Sequence, residues 1–180
     1  MRSELAANEY LGIANAENAE YFVRDARRSS ALHQNAGEPR RRLRLTRSFD
    51  ARPRHVFDAW LDPSVAARWL FATACRPLSH VDIDPRVGGA FCFVDGADGQ
   101  AIEYSGEYAD IVPNRRLVFT LAIPLTDRAI TRVAVTISSL NRRSRLNLVH
   151  EDVPSAHARY LHNRWTGILY GLGVTLAMTP

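Results

Sequence analysis

Alternating and helical patterns divide the chain into a first strand, two short helices, a run of strands and one long helix. The segment LRLTRSF, residues 43–49, alternates apolar and polar side chains and is predicted as a strand. Pro53 and Pro63 each suit a first helical turn, so two short helices are expected after this strand. Residues 79–150 then break repeatedly at glycine, proline and asparagine, as is typical of hairpins. Pro154 precedes a final segment that is predicted as a single helix.

The C-terminal segment, residues 160–180, has the pattern of a helix with one broad apolar face. It carries no charged residue after Trp165. Gly167 and Gly171 fall toward the opposite side. Because a glycine inside a helix costs about 1 kcal/mol, we expect these two to allow close approach of the N-terminal arm or of a second subunit. That opposite side also carries Tyr170, Val174 and Met178. The apolar stripe at helical spacing consists of Leu161, Trp165, Ile168, Leu169, Leu172 and Leu176.

Taken together, these elements predict an α+β fold. Hairpin connections make the sheet antiparallel, and only the C-terminal segment is long enough to cover one of its faces. We therefore predict a curved antiparallel sheet of about six or seven strands wrapped around a long C-terminal helix, with two short helices after the first strand. Residues 41–180 form this domain, and residues 1–40 are predicted as an N-terminal arm that is partly helical or disordered.

Composition and charge favour a soluble protein of the reducing cytoplasm. The chain has 180 residues and a net charge of +4, and all 23 of its basic residues are arginines. Much of the excess positive charge comes from residues 39–47, PRRRLRLTR, so a general nucleic-acid-binding surface is not expected. Two cysteines, Cys75 and Cys92, cannot form a CxxC pair or a four-thiolate metal site. No segment has the pattern of a signal peptide or of a membrane-spanning helix.

Four stretches of the sequence resemble, in order and spacing, the family of homologues of the activator of the heat-shock ATPase. They are LTRSFDARPRHVFDAWLDPSVAARWL, RVGGAF, SGEYADIVPNRRLVFT and NRWTGIL, and the resemblance extends from residue 43 to about residue 176. That family belongs to the START-like, helix-grip superfamily (SRPBCC), which also contains polyketide cyclases and lipid-transfer domains. The chain departs from the family pattern in its N-terminal arm and at Arg52 and Arg54, where an acidic or neutral residue is usual.

The resemblance implies a cavity between sheet and helix that binds a small hydrophobic molecule: a lipid, a polyketide or an aromatic metabolite. It also links the chain to the stress response, although the further domain that docks the founding members on the chaperone has no counterpart here. For most of the candidate wall residues the alternative is a filled hydrophobic core. Those candidates are Trp69, Phe91, Phe93, Phe119, Leu121, Val135, Ile137, Leu148, Trp165 and Leu169.

Arg47 is predicted to face the interior, because it alternates with Leu45 and Phe49 on one side of the first strand. A buried guanidinium needs a partner. The partner is expected to be either a ligand carboxylate or one of the acidic residues on a later strand, unless Arg47 lies at the rim of the sheet, where solvent reaches it. Those acidic residues are Glu103, Glu107 and Asp110.

His150 and Tyr104 are the other polar candidates for the ligand site. His150 shares a strand face with Leu148, and it either contacts a ligand or is a structural histidine next to Glu151. Tyr104 either orients a ligand or satisfies a backbone carbonyl.

Recognisable catalytic and cofactor motifs are absent from the sequence. It contains no GxSxG, HExxH, P-loop or GxGxxG pattern, and its histidines lack metal-ligand spacing. We therefore assign no catalytic residue, metal or cofactor. Two alternatives to ligand binding stay open. One is a cyclase- or hydrolase-like enzyme with His150 or a strand carboxylate as general base. The other is an interaction module that regulates a chaperone or forms a homodimer through the outer face of the last helix.

Overall fold

The computed structural model describes residues 39–72, 78–96, 101–122 and 129–178. Nearly all of the predicted N-terminal arm lies outside these residues. The described elements follow the predicted order along the chain. They are β1 (Arg40–Phe49), α1 (Pro53–Leu61), α2 (Pro63–Ala66), β2 (Leu78–Ile83), β3 (Ala90–Asp95), β4 (Ile102–Val112), β5 (Arg116–Ala122), β6 (Ile130–Leu140), β7 (Arg143–Pro154), a 3-10 turn (Ser155–His157) and α3 (Ala158–Met178).

The seven strands form one antiparallel sheet in the order β1-β7-β6-β5-β4-β3-β2. Strands from β2 to β7 pair with their neighbours in sequence, as hairpin connections require. β1 pairs with β7 instead, from Arg40 opposite Pro154 to Phe49 opposite Ser144. Most inward residues of this sheet and of α3 belong to one hydrophobic core, and Leu43, Val153 and Leu161 form a smaller cluster of their own. The predicted α+β, helix-grip fold is therefore confirmed.

Two glycines permit close backbone approaches near the middle strands. A Cβ atom at Gly106 of β4 would overlap the backbone oxygen of Thr120 on β5. A Cβ atom at Gly89 would overlap the backbone oxygen of Asp84, and the Gly89 oxygen accepts a hydrogen bond from the Tyr108 N–H (2.9 Å). Only glycine fits at these positions, and the turn before β3 is thereby bonded to β4.

Proline and aspartate define the two short helices. Pro53 and Pro63 occupy first-turn positions, as predicted. Asp62 follows the last residue of α1, and its carboxylate caps α2 because it accepts hydrogen bonds from the N–H groups of Ser64 (2.9 Å) and Val65 (3.3 Å). The hydrogen bond from the Ser64 hydroxyl contributes most to lowering the pKa of Asp62. The face of α1 turned to the core consists of Val56, Phe57, Ala59 and Trp60.

α3 buries the predicted apolar stripe against the sheet, with Leu176 only partly buried. The prediction that Gly171 faces an arm or a second subunit is wrong. A Cβ atom there would lie 3.5 Å from the Cβ of Trp69, within the same domain. Among the described residues, no atom lies within 4 Å of a Cβ atom at Gly167. Within the described part of the chain, no helix is both long and apolar enough to cross a membrane.

Candidate functional site

A continuous series of aromatic rings lines the space between the sheet and α3. Trp60 meets Trp69 edge to face, with ring centroids 4.8 Å apart, and lies 6.4 Å from Trp165. Trp165 lies 6.1 Å from Phe71, which in turn stacks on Tyr104 at 4.4 Å. Further ring contacts extend the series along β3, β4 and β5. We call the set the aromatic network; it comprises Trp60, Trp69, Phe71, Phe91, Phe93, Tyr104, Tyr108, Phe119 and Trp165.

The residues predicted as cavity walls are brought together in this interior. None of the ten apolar candidates is more than 6% exposed. Several of them are in direct ring contact. The ring centroid of Phe91, for example, lies 5.9 Å from that of Phe93 and 5.5 Å from that of Phe119. Such contacts favour the alternative that most of these side chains fill the core, and their role as ligand contacts stays a prediction.

His150 is fully buried, and both of its ring nitrogens are engaged. The Trp165 indole N–H donates to His150 Nδ1 (3.0 Å). Because an indole nitrogen only donates, Nδ1 is unprotonated and the proton of the neutral ring is on Nε2. Nε2 then donates to Thr131 Oγ1 (2.7 Å), whose own hydroxyl donates to the Leu121 carbonyl (2.9 Å). We call this directed series, from Trp165 through His150 and Thr131 to Leu121, the histidine chain.

The surroundings of His150 suit a structural role. Burial lowers its pKa to about 4, so the ring is neutral at neutral pH. A general base needs a nitrogen within reach of the substrate proton, and both nitrogens of His150 already have protein partners. Glu151, its sequence neighbour, pairs instead with Arg42 (2.8 Å) and Arg132 (3.2 Å).

Arg47 lies on the predicted face of β1 but does not have the predicted protein partner. Its Cζ atom lies 5.2 Å from the ring centroid of Tyr170 on α3, and it forms no ion pair with a described residue. Three strands separate β1 from β4, and Asp110 of β4 pairs with Arg116. The predicted pairing of Arg47 with an acidic residue of β4 is therefore wrong.

A different arginine, Arg164 of α3, lies beside the predicted Tyr104. Its Nη2 donates to the Tyr104 hydroxyl (2.6 Å), its Nη1 donates to the Tyr160 hydroxyl (3.4 Å), and its Cζ lies 5.0 Å from the Tyr104 ring centroid. Although burial disfavours the charge, Tyr104, Tyr160 and Asp95 hold the pKa of Arg164 above its usual value. Burial raises the pKa of Tyr160 to about 12. We call Tyr104, Tyr160 and Arg164 the arginine–tyrosine cluster.

Phe71 positions its ring against this cluster from a strained backbone. Its φ of 62° lies in the left-handed region, which costs a bulky residue about 1–3 kcal/mol. The ring is stacked on Tyr104 with an interplanar angle of 4° and meets Phe93 edge to face at 5.4 Å. Packing on both sides holds the strained conformation in place.

Two buried N–H groups of the interior have no hydrogen-bond partner within the described residues: Trp60 Nε1 and Arg164 Nε. The Ser144 hydroxyl, outside the aromatic network, is the third such group. Leaving a buried donor unpaired costs about 1–3 kcal/mol. A few polar groups among apolar and aromatic walls are typical of a small-molecule site. The two N–H groups are therefore the candidate polar contacts of this interior.

No role in the site was predicted for Trp60, Phe71 or Arg164. Of these, Arg164 had a sequence feature that could have indicated such a role. Arg164 comes three residues after Leu161 and four before Ile168, so helical spacing places it at the margin of the buried stripe. A charged residue there was the signal that could have found it. Phe71 gave none, because its ring is aimed by a positive φ that phenylalanine rarely adopts.

Other candidate sites receive little support. Within the described ranges, no group of three or more His, Cys, Asp or Glu side chains could hold a metal ion. Two arginines at the start of β1 are tied to the end of β7, since Arg40 donates to the Asp152 carbonyl (3.0 Å) and Arg42 pairs with Glu151.

The outer face of α3, predicted as a homodimer surface, exposes two large apolar residues in its described length. These are Val174, 40% exposed, and Met178, 76% exposed. Tyr170 on the same side is half-buried beside Arg47. The homodimer stays a prediction.

Comparison with known proteins places these features in a family. A family model described as activator of Hsp90 ATPase homolog 1-like protein matches residues 50–177. No curated protein matches the sequence. Among solved structures, protein CV1439 from Chromobacterium violaceum is similar, with 27% identity, a TM-score of 0.65, and coverage of 75% of this chain and 96% of that one.

Two further structures are similar in fold alone. Protein NE0264 from Nitrosomonas europaea has 18% identity and a TM-score of 0.65, covering 77% of this chain and 96% of that one. SA2116 from Staphylococcus aureus, described as a protein of unknown function, has 11% identity and a TM-score of 0.68, covering 79% and 98%.

Proposed function

The chain belongs to the family of activator of Hsp90 ATPase homolog 1-like proteins, and from that premise we propose that it binds a small, largely apolar molecule between its sheet and α3. Ring faces and edges dominate this interior, as in the contacts of Phe71 with Tyr104 and Phe93. Aromatic groups prefer stacked or edge-to-face partners. An aromatic or polyketide-like compound therefore suits it better than a long acyl chain.

The observation that carries this proposal is the unpaired indole N–H of Trp60. Trp60 is 2% exposed and is surrounded by rings of Trp69, Phe119 and Trp165. By contrast, the N–H of Trp69 donates to the Ala59 carbonyl (3.1 Å). A buried donor kept unpaired among apolar walls supports a ligand that brings its own acceptor atom.

The same interior gives less support to a cyclase- or hydrolase-like activity. His150, the predicted general base, has its two ring nitrogens occupied by Trp165 and Thr131. Tyr108, a buried titratable residue of the aromatic network, keeps its proton because burial raises its pKa. Ligand binding is therefore the function that we propose.

Mass spectrometry of the purified protein, first native and then denatured, tests the proposal. We expect a small molecule to leave in near-stoichiometric amount on denaturation. N-phenyl-1-naphthylamine, a neutral fluorescent probe, should also bind, and the transfer of excitation energy from the three tryptophans would report it, because all three are buried in the aromatic network. A folded protein that releases nothing and does not bind the probe would overturn the proposal.

A matched pair of variants locates the site. Trp60→Phe removes the unpaired N–H while keeping an aromatic ring, and it should retain less of any ligand that carries an acceptor atom. Ser144→Ala removes another buried, unpartnered polar group that lies outside the aromatic network, and it should retain the ligand as the native protein does. Equal retention by both variants would contradict the assignment to Trp60.

A further inference from the structure

We propose that Arg164 binds an acidic group of the ligand, so that the natural ligand is an aromatic or polycyclic acid rather than a neutral compound. This inference rests on the proposed function and adds the ligand's charge to it. Arg164 lies in the first half of α3, where the side chains of the arginine–tyrosine cluster border the aromatic network. The apolar part of the ligand would contact the rings, and its acid would reach Arg164.

The positive charge of Arg164 is not paired with a described carboxylate. Arg164 forms no ion pair with a described carboxylate, and its two described hydrogen bonds go to the neutral phenols of Tyr104 and Tyr160. Asp95, which is 3% exposed, also helps to hold the pKa of Arg164 above its usual value. Buried charges in proteins are normally paired, so a guanidinium in these surroundings suits an anionic partner.

The Nε–H of Arg164 is a donor that the described residues leave unused. Nη1 and Nη2 of Arg164 are directed to Tyr160 and Tyr104, whereas Nε is buried and has no partner in the part of the chain that the structure describes. Because a guanidinium is planar and rigid, the two phenols fix the direction of the Nε–H. A carboxylate is the group for which arginine geometry is best suited, and hydrogen bonds between ionised groups are about twice as strong as neutral ones.

Aromatic rings lie directly beside Arg164. Tyr104 accepts from Arg164 and is stacked on Phe71, and Phe71 lies 6.1 Å from Trp165. The cation and the ring faces therefore adjoin without an intervening element. That juxtaposition fits a molecule with an acidic group attached directly to a ring system.

Arg47 provides the contrast. It is also half-buried and lies 5.2 Å from a tyrosine ring, but it packs beside Tyr170 and Gly173. Tyr170 is six residues after Arg164, about 9 Å along the helix. No nitrogen of Arg47 is among the buried atoms without a partner.

Two fluorescent probes that differ by one acidic group test the inference. 8-Anilinonaphthalene-1-sulfonate has the ring system of the neutral N-phenyl-1-naphthylamine and adds a sulfonate. We expect the anionic probe to bind the native protein about 10–100-fold more tightly than the neutral one, from the strength of a hydrogen bond between charged groups. Arg164→Gln should remove that preference and leave the affinity for the neutral probe nearly unchanged.

Arg159→Gln is the matched control, because it removes one exposed arginine from the same helix and lowers the net charge equally. The preference should survive in Arg159→Gln and in Arg47→Gln. Loss of the preference in Arg47→Gln, or equal effects of Arg164→Gln and Arg159→Gln, would overturn the assignment to Arg164.

The outcomes separate the two proposals. If the neutral probe binds and the anionic probe binds no better, the charge inference fails while the proposed function stands. If neither probe binds the folded protein, the proposed function itself fails. If Arg164→Gln does not fold, nitrogen NMR of the native protein still decides. The Arg164 Nε–H resonance should shift with the anionic probe and not with the neutral one, and an unmoved resonance would overturn the inference.

Discussion

Protonation of His150 is expected to destabilise the fold in mild acid. The neutral ring accepts from Trp165 and donates to Thr131, and an added proton on Nδ1 would face the indole N–H. The pKa of His150 falls to about 4 in the folded protein, whereas an unfolded histidine has a pKa of about 6.5. Between these values the unfolded chain binds more protons, so stability rises with pH. The contribution is complete above pH 6.5 and is lost as the pH falls toward 4.

The size of this effect follows from the two pKa values. A difference of about 2.5 units corresponds to about 3 kcal/mol once the pH is below both values, and to about 2 kcal/mol at pH 5. Typical domains have a free energy of unfolding of about 5–15 kcal/mol, so one residue would remove a sizeable share.

Urea unfolding at pH 8 and at pH 5 measures the effect, with His150→Gln as the comparison. A glutamine amide can also accept from one neighbour and donate to another, but it does not titrate. Subtracting the two proteins removes the contributions of the other histidines. We expect the native protein to lose about 2 kcal/mol more than His150→Gln over this interval. His162→Gln, at an exposed position of α3, should lose as much as the native protein does.

Parallel losses by the native protein and by His150→Gln would refute this reasoning. NMR of the imidazole nitrogens gives a second measurement that needs no variant. It should show Nε2 protonated and Nδ1 unprotonated down to about pH 5. A ring that titrates near its ordinary pKa would mean that the histidine chain does not hold the neutral form.

Other substitutions have expected outcomes that urea unfolding can check. Thr131→Val removes the hydroxyl that pairs with His150 Nε2 and with the Leu121 carbonyl and should cost about 1–3 kcal/mol, whereas Thr136→Val, exposed on the same strand, should change stability by less than about 0.5 kcal/mol. Gly106→Ala should destabilise by more than about 1 kcal/mol, because its Cβ overlaps a backbone oxygen. Gly167→Ala should stabilise by about 0.5–1 kcal/mol, since no described atom lies within 4 Å of its Cβ, and a loss of stability there would indicate a partner outside the described residues.

The order of elements was predictable because periodicity and turn chemistry are local properties. Pro53 and Pro63 predicted the two short helices, and the spacing from Leu161 to Leu172 predicted the buried face of α3. Strand alternation also placed Arg47 on the correct face. Alternation does not predict which strands are neighbours in the sheet. It therefore could not show that three strands separate Arg47 on β1 from the acidic residues of β4.

The candidate site was less predictable, because it depends on contacts between distant elements. Tyr104 and Arg164 are 60 residues apart in sequence, and the hydrogen bond between them exists only once α3 lies on the sheet. The orientation of Phe71 depends on a positive φ that its residue type disfavours. Which buried donors remain unpaired can be seen only when all of their neighbours are in place.

The pairing of polar groups divides the interior into a structural part and a part suited to a ligand. His150 has partners on both nitrogens, so changing it should alter stability more than specificity. Trp60 and Arg164 each have a buried N–H with no partner among the described residues, so under the proposed function changing either should alter which molecule binds more than whether the chain folds. Since apolar walls would attract many compounds alike, the proposed function assigns selectivity to these two donors. A protein of the same fold could therefore exchange its ligand by substitutions at two positions while keeping its sheet, its last helix and its histidine chain.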